Sequence, residues 1–206
     1  MKQKFTFFHS EGDAWFDRNH DQLGLYDPVT PFIIEQNIRP TTVLEVGCAN
    51  GWRLAKFRDV FGCQVVGIDP SMKAAVDGAA KFQVPIHQRS ASSLPLKSRQ
   101  YDMIIYGFCL YLADPDDWLL IASEADHALT DDGHIVIHDF NDWVGGAPFS
   151  KPYEHRDGLK SYHYDFAKLW CGHPRYQVIS HVDGAHNDGV TILQKNALPA
   201  LIRDIP

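Results

Sequence analysis

Basic clusters are missing from this chain. Its 206 residues hold 19 Lys and Arg against 26 Asp and Glu, a formal charge of −7, and no Lys/Arg run exceeds two residues. Broad attraction to a nucleic-acid backbone needs clustered cations, so no nucleic-acid partner is expected. Paired cysteines are missing as well. Cys48, Cys63, Cys109 and Cys171 show no Cys-x-x-Cys spacing, which argues against a zinc ribbon and a disulfide scaffold. Histidines are present, but no metal-ligand set stands out among them, and no catalytic metal is expected. Apolar runs are short: residues 103–113 form the longest uncharged one, far below the roughly 20 residues that cross a bilayer. Lys2 and Lys4 are followed by Glu11 and Asp13 with no long apolar stretch between, so the amino terminus does not read as a secretory signal. A cytoplasmic protein with reduced thiols and no membrane partner is the expectation.

What is present is an alternation. Val43, Leu44 and Val46 form an apolar run of the kind a buried strand carries, Gly47 and Gly51 bracket a tight turn, and residues 52–60 read as a helix. Further strands are expected at 63–68, 84–87, 101–106 and 134–138, with helices at about 72–82, 114–129 and 165–171. Asp27-Pro28 and Asp114-Pro115 each set an acidic cap before a proline, a helix start. Thr130-Asp131-Asp132-Gly133 reads as a turn, and residues 175–182 and 189–195 as an antiparallel hairpin. Strands and helices at this spacing predict parallel βαβ units, a three-layer α/β/α sandwich in one domain. The expected parts are an aromatic-rich arm and helix (1–40), a core (41–140), a long Gly- and aromatic-rich loop over an acceptor (141–164), and a last helix and hairpin (165–206). Seven strands, mostly parallel and closing in an antiparallel hairpin, make a Rossmann-like sheet.

The candidate chemistry sits at the ends of these strands. A strand, a glycine turn and a helix amino terminus bring backbone N–H groups close to a ligand, and Glu45 lies where its carboxylate can face the same ligand. A dinucleotide loop would need glycines at Ala49 and Trp52. Asp69 closes the second strand, where an acid accepts hydrogen bonds from ribose hydroxyls; a cap on the next helix is its other reading. His138 ends the fifth strand and His163 follows the long loop. A histidine there suits removal of a proton from a hydroxyl, or else is structural.

Glu45-x-Gly47-x-x-x-Gly51 resembles the first motif of class I S-adenosylmethionine-dependent methyltransferases. The resemblance implies S-adenosylmethionine as cofactor, held by Glu45, Gly47, Cys48, Ala49, Asn50 and Gly51, with Asp69 and Pro70 at the ribose. It also implies Ser90 and Ala91 at the adenine, although the family often has an acid at the position of Ser90, and Tyr106 and Gly107 along the cofactor. The segment 106–112 resembles its counterpart in small-molecule methyltransferases and lacks the Asn/Asp-Pro-Pro-aromatic signature of enzymes that methylate nucleic-acid amines. Gly12-Asp13 with Arg18-Asn19, and Asp165-Phe166 downstream, are similar to methylases associated with pseudaminic acid biosynthesis. That likeness favours a polar, sugar-like acceptor; the expectation is a sugar or nucleotide-sugar methylated at oxygen or nitrogen, with Tyr111, Asp139, Trp143 and Tyr162 at the acceptor and His138 or His163 as base. A protein or peptide methyltransferase, or a non-catalytic S-adenosylmethionine-binding protein, is the alternative.

Overall fold

Seven strands make one sheet in a computed structural model that describes residues 2–94, 98–140, 152–155 and 158–197. In chain order they are β1 (Thr42–Val46), β2 (Gln64–Asp69), β3 (Ile86–Gln88), β4 (Tyr101–Gly107), β5 (Leu129–Phe140), β6 (Tyr176–Asp183) and β7 (Asp188–Lys195). Across the sheet the order is β3-β2-β1-β4-β5-β7-β6. The first five strands are parallel, and β7 runs antiparallel to both β5 and β6. The order reverses at β1, so the crevice outside the carboxyl ends of β1 and β4 is where such a sheet takes its ligand.

Helices cover both faces because the central strands are apolar on both sides. On one face α2 (Val29–Glu35) and α3 (Trp52–Phe61) pack Ile33, Leu54 and Phe57 against Val43, Met103 and Ile105. On the other, α5 (Trp118–Ala128) and α6 (Lys168–Cys171) pack Ile121, Ala125 and Trp170 against Leu44, Ile104 and Tyr106. Between β2 and β3 lies α4 (Met72–Phe82), capped by Ser71, whose Oγ accepts from the Ala74 N–H at 3.0 Å. The same hydroxyl donates to Asp13 at 2.7 Å. Ser71→Ala removes both links, and should lower the urea midpoint by an amount equivalent to about 1–2 kcal/mol. An unchanged midpoint would show that the cap is replaced.

Three expectations need correction. The turn at residues 130–133 lies inside β5: the partner of Tyr101 is Leu129 and that of Met103 is His134, so the extra residues bulge from the ladder with Asp132 at φ +63°. The final helix is shorter than residues 165–171, and Asp114-Pro115 opens a 3-10 turn (Pro115–Asp117) before α5 begins. The amino-terminal arm is helical: Gln3–Thr6, a π-helical turn Phe7–Glu11, then α1 (Gly12–Asn19). Most of the expected acceptor loop, Trp143 included, lies outside the described residues.

The arm is fastened at both ends. Lys2 and Lys4 pair with Asp117 at 2.6 and 3.0 Å, and the Gln3 side chain donates to the carbonyls of Leu112 and Lys160 at 2.9 and 3.0 Å. Farther along, Asp13 accepts from the Lys73 N–H at 3.0 Å, and Lys73 pairs with Asp17. Among the described residues no helix is long and apolar enough to cross a membrane.

Candidate cofactor site

The loop after β1 is built by close approach. Gly47 has φ +74°, and a Cβ there would lie 2.6 Å from Cys109 Cβ and 3.0 Å from the Gly107 carbonyl, so only glycine lets the loops after β1 and β4 meet. The Gly47 and Cys48 N–H groups donate to the Ile68 carbonyl at 2.8 and 3.2 Å, which ties the loop to the end of β2. There Asp69 accepts from the Ala49 N–H through Oδ2 at 2.8 Å and from the Ser71 N–H through Oδ1 at 2.9 Å. Each oxygen keeps a lone pair for a ligand. Burial pushes the Asp69 carboxyl up to about 7, against the pull of those two N–H groups, and Glu45 and Asp13 raise it further.

Asp69 lines a cavity at the carboxyl ends of β1, β2 and β4. Gly47, Pro70, Ser90, Ala91 and Gly107 line it too, as the sequence implies. Its roof is the amino-terminal arm, through Lys4, Phe7, Gly12 and Trp15, while Phe108, Leu112 and Ile121 form an apolar wall. The arm's part is invisible to local sequence reading, because its partners lie 56–157 residues away. The richness of residues 5–16 in aromatic side chains was the one available signal.

The other expected cofactor residues lie outside the lining. Cys48 faces β2, where a Cβ on Gly67 would touch its Sγ at 2.5 Å, and Asn50 donates to Asp77 on α4 at 2.8 Å. Ala49 serves through its N–H to Asp69. At Gly51, φ is +72° and a Cβ would point at Val84 and Ile86, away from the cavity. Tyr106 is wholly buried beneath the cavity, in the cluster that holds the lining residues Val46, Ile68 and Ile121, with its ring 5.5 Å from that of Trp170. Glu45 is buried behind Gly107, where its Oε1 accepts from Arg53 Nη1 at 2.6 Å.

His138 also departs from expectation. It is 1% exposed, with Arg53 Nη2 3.3 Å from Nδ1 and Asp188 Oδ2 2.8 Å from Nε2. Arginine can only donate, so Nδ1 accepts and Nε2–H donates to Asp188. Burial, then the Arg53 charge, pushes the ring down to about 4, against Asp188. A neutral ring with both nitrogens engaged presents no lone pair to an acceptor. His163 stacks on Phe140 at 5.7 Å. Asp139 is spent on the backbone N–H groups of Leu110, Tyr111 and Phe140, and Tyr162 is buried with its N–H on the Tyr111 carbonyl at 2.7 Å. Tyr111 itself packs edge-on to Phe108 and Phe140 at the ends of β4 and β5.

Comparison with known proteins fits this geometry. Residues 43–133 match the methyltransferase-domain family. That stretch runs from β1 into β5. No curated protein sequence matches the chain. Its fold is similar to that of the Burkholderia thailandensis 1,6-didemethyltoxoflavin N1-methyltransferase, solved with that compound and S-adenosylhomocysteine, at 19% identity and TM-score 0.68 over 94% of this chain and 85% of that one. A S-adenosylmethionine-dependent methyltransferase from Methanosarcina mazei (17%, 0.65, covering 82% and 98%) and the N-methyltransferase NodS of Bradyrhizobium japonicum (16%, 0.58, covering 82% and 99%) are also similar. The cofactor of the methyltransferase domain is S-adenosylmethionine, and the site fits it: an acid for the ribose at the end of β2, a glycine cradle in the Gly47 loop, and a buried Glu45 oxygen with no partner among the described residues.

Proposed function

We propose that the chain transfers a methyl group from S-adenosylmethionine to nitrogen or oxygen of a small-molecule acceptor. The observation that carries this reading is Asp69, held by two N–H groups at the rim of a cavity floored by Gly47 and Gly107 and roofed by Trp15. When bound, the cofactor supplies an electrophilic methyl on a sulfonium. The chain's own work is alignment: Asp69 and the Gly47 loop fix one end of the cofactor, and the arm excludes water from it. Phe108, Tyr111 and Phe140 form a wall of rings at the carboxyl ends of β4 and β5, where an acceptor would enter. Such a wall takes the C–H face of a sugar or the flat face of a heterocycle. A sugar or nucleotide-sugar is the acceptor implied by the amino-terminal resemblance, and a heterocycle is the compound bound to the Burkholderia enzyme. Because both nitrogens of His138 are engaged, an acceptor nitrogen attacking through its own lone pair suits this geometry better than a hydroxyl that must first lose a proton.

The test is thermal shift followed by transfer. S-adenosylhomocysteine at 100 times its dissociation constant should stabilise the protein by about 2.7 kcal/mol by mass action. NAD should have no effect. Label from methyl-labelled S-adenosylmethionine should then appear on a member of a panel of nucleotide-sugars and nitrogen heterocycles. Stabilisation by NAD in place of S-adenosylhomocysteine would overturn the reading.

A further inference from the structure

Beneath the cavity floor lies a buried chain of charged groups that the alignment scheme leaves unused. Asp188 is 1% exposed and is held by the hairpin turn before β7, accepting from the His186 N–H at 2.9 Å and from the Tyr26 hydroxyl at 3.4 Å. It accepts from His138 Nε2, and His138 Nδ1 accepts from Arg53 Nη2. Arg53 passes the order on: Nη1 donates to Glu45 Oε1 at 2.6 Å, and Nε lies 3.6 Å from Asp27 Oδ1. Glu45 is 2% exposed, and its second oxygen, Oε2, is buried with no hydrogen-bond partner among the described residues. A lone buried carboxylate oxygen is costly and calls for a donor.

Its location shows where that donor belongs. A Cβ on Gly107 would lie 2.7 Å from Arg53 Nη1 and 2.8 Å from Glu45 Oε1, so the ion pair sits directly against Gly107, which lines the cavity. Gly47, two residues beyond Glu45, lines it as well.

We propose that His138 is a positioning residue for cofactor binding: anchored by Asp188, it fixes Arg53, and Arg53 holds Glu45 with Oε2 free for the ammonium group of the bound cofactor. The inference rests on the S-adenosylmethionine reading above. Its logic is division of labour. Arg53 can satisfy both Glu45 oxygens if it swings toward them, which would close the site to an ammonium. The hydrogen bond to His138 keeps its second Nη on another partner. A neutral imidazole suits this task, since a protonated ring would repel the guanidinium.

The experiment compares two ligands that differ only in that ammonium, S-adenosylhomocysteine and its deamino analogue, by calorimetry. His138→Phe keeps a ring and removes both nitrogens. It should weaken S-adenosylhomocysteine about tenfold, the worth of one hydrogen bond to a charged group, and leave the deamino analogue within about twofold. His138→Gln, whose amide oxygen can take the Arg53 N–H, should recover most of the loss. Equal losses on both ligands would show a structural role only, and no loss on either would remove His138 from cofactor binding; both overturn the proposal. If His138→Phe does not fold, the same ratio is read on Asp188→Asn, where an unchanged ratio overturns it. Failure of the parent to bind S-adenosylhomocysteine would instead overturn the cofactor reading.

Discussion

Asp69→Ala is expected to weaken S-adenosylhomocysteine binding by about 10- to 150-fold, the equivalent of the 1.5–3 kcal/mol that a hydrogen bond to a charged group contributes. The change also leaves the buried Ala49 and Ser71 N–H groups without their acceptor, at a cost of about 1–3 kcal/mol each in stability, so binding is measured well below the melting temperature. Asp69→Asn, with one acceptor oxygen in place of two, should fall between parent and alanine. The pH dependence follows from the same carboxyl. Its folded value of about 7 lies above the ordinary carboxylate range, so in the unliganded protein the stability that Asp69 contributes is present at low pH and is lost as the pH rises toward 7. Ligand hydroxyls that donate to the charged form pull the value back down. Binding therefore releases a proton near neutrality and tightens from pH 6 to pH 8. Calorimetry in buffers of different ionisation enthalpy measures that proton. Equal affinity of parent and Asp69→Ala across this range would remove Asp69 from the site.

Gly51→Val should act on stability more than on binding. The sequence alone suggests a selective loss of cofactor, with valine projecting into the glycine turn. The structure places the missing Cβ elsewhere: 3.0 and 3.2 Å from Val84 atoms and 3.3 Å from Ile86 Cδ1, at a residue with φ +72°. A β-branched residue in the left-handed region and an overfilled contact each cost about 1–3 kcal/mol, so a total of about 2–6 kcal/mol is expected in the urea unfolding of the unliganded protein. Gly51→Ala keeps the strained φ and loses the branch, and should show a smaller decrement. An unchanged midpoint together with lost S-adenosylhomocysteine binding would restore the sequence-only reading.

These cases mark where local sequence is informative. Gly47 and Asp69 are legible because strand, turn and acid are contiguous, and their partners, Ile68, Ala49 and Ser71, lie within the same βαβ unit. The sheet is legible for the same reason: apolar runs such as those in β1 and β4 recur at regular spacing. Arg53 reads as an ordinary helix-surface cation, yet it is 5% exposed, because Glu45, His138 and Asp27 reach it from three other parts of the chain. His138 reads as a base because it ends a strand on the ligand edge. Only the pairing of β5 with β7, His138 opposite Val190, brings the neighbouring Asp188 to its other nitrogen. Tyr106 is misread because its ring is wholly covered within the cluster beneath the cavity, and an apolar strand does not announce which of its last residues meets the ligand.

The fastening of the arm has a consequence for the order in which the molecule is made. Phe7, Trp15 and Phe16 leave the ribosome before any strand of the sheet, yet Lys2 needs Asp117, 115 residues on, and Gln3 needs Lys160, 157 residues on. Domains assemble as they emerge, and contacts of such separation form late. The arm is thus made before the sheet and docks after it, and these aromatic side chains lack their native cover while the sheet is being made. It closes over the cavity only when the sheet beneath it is complete.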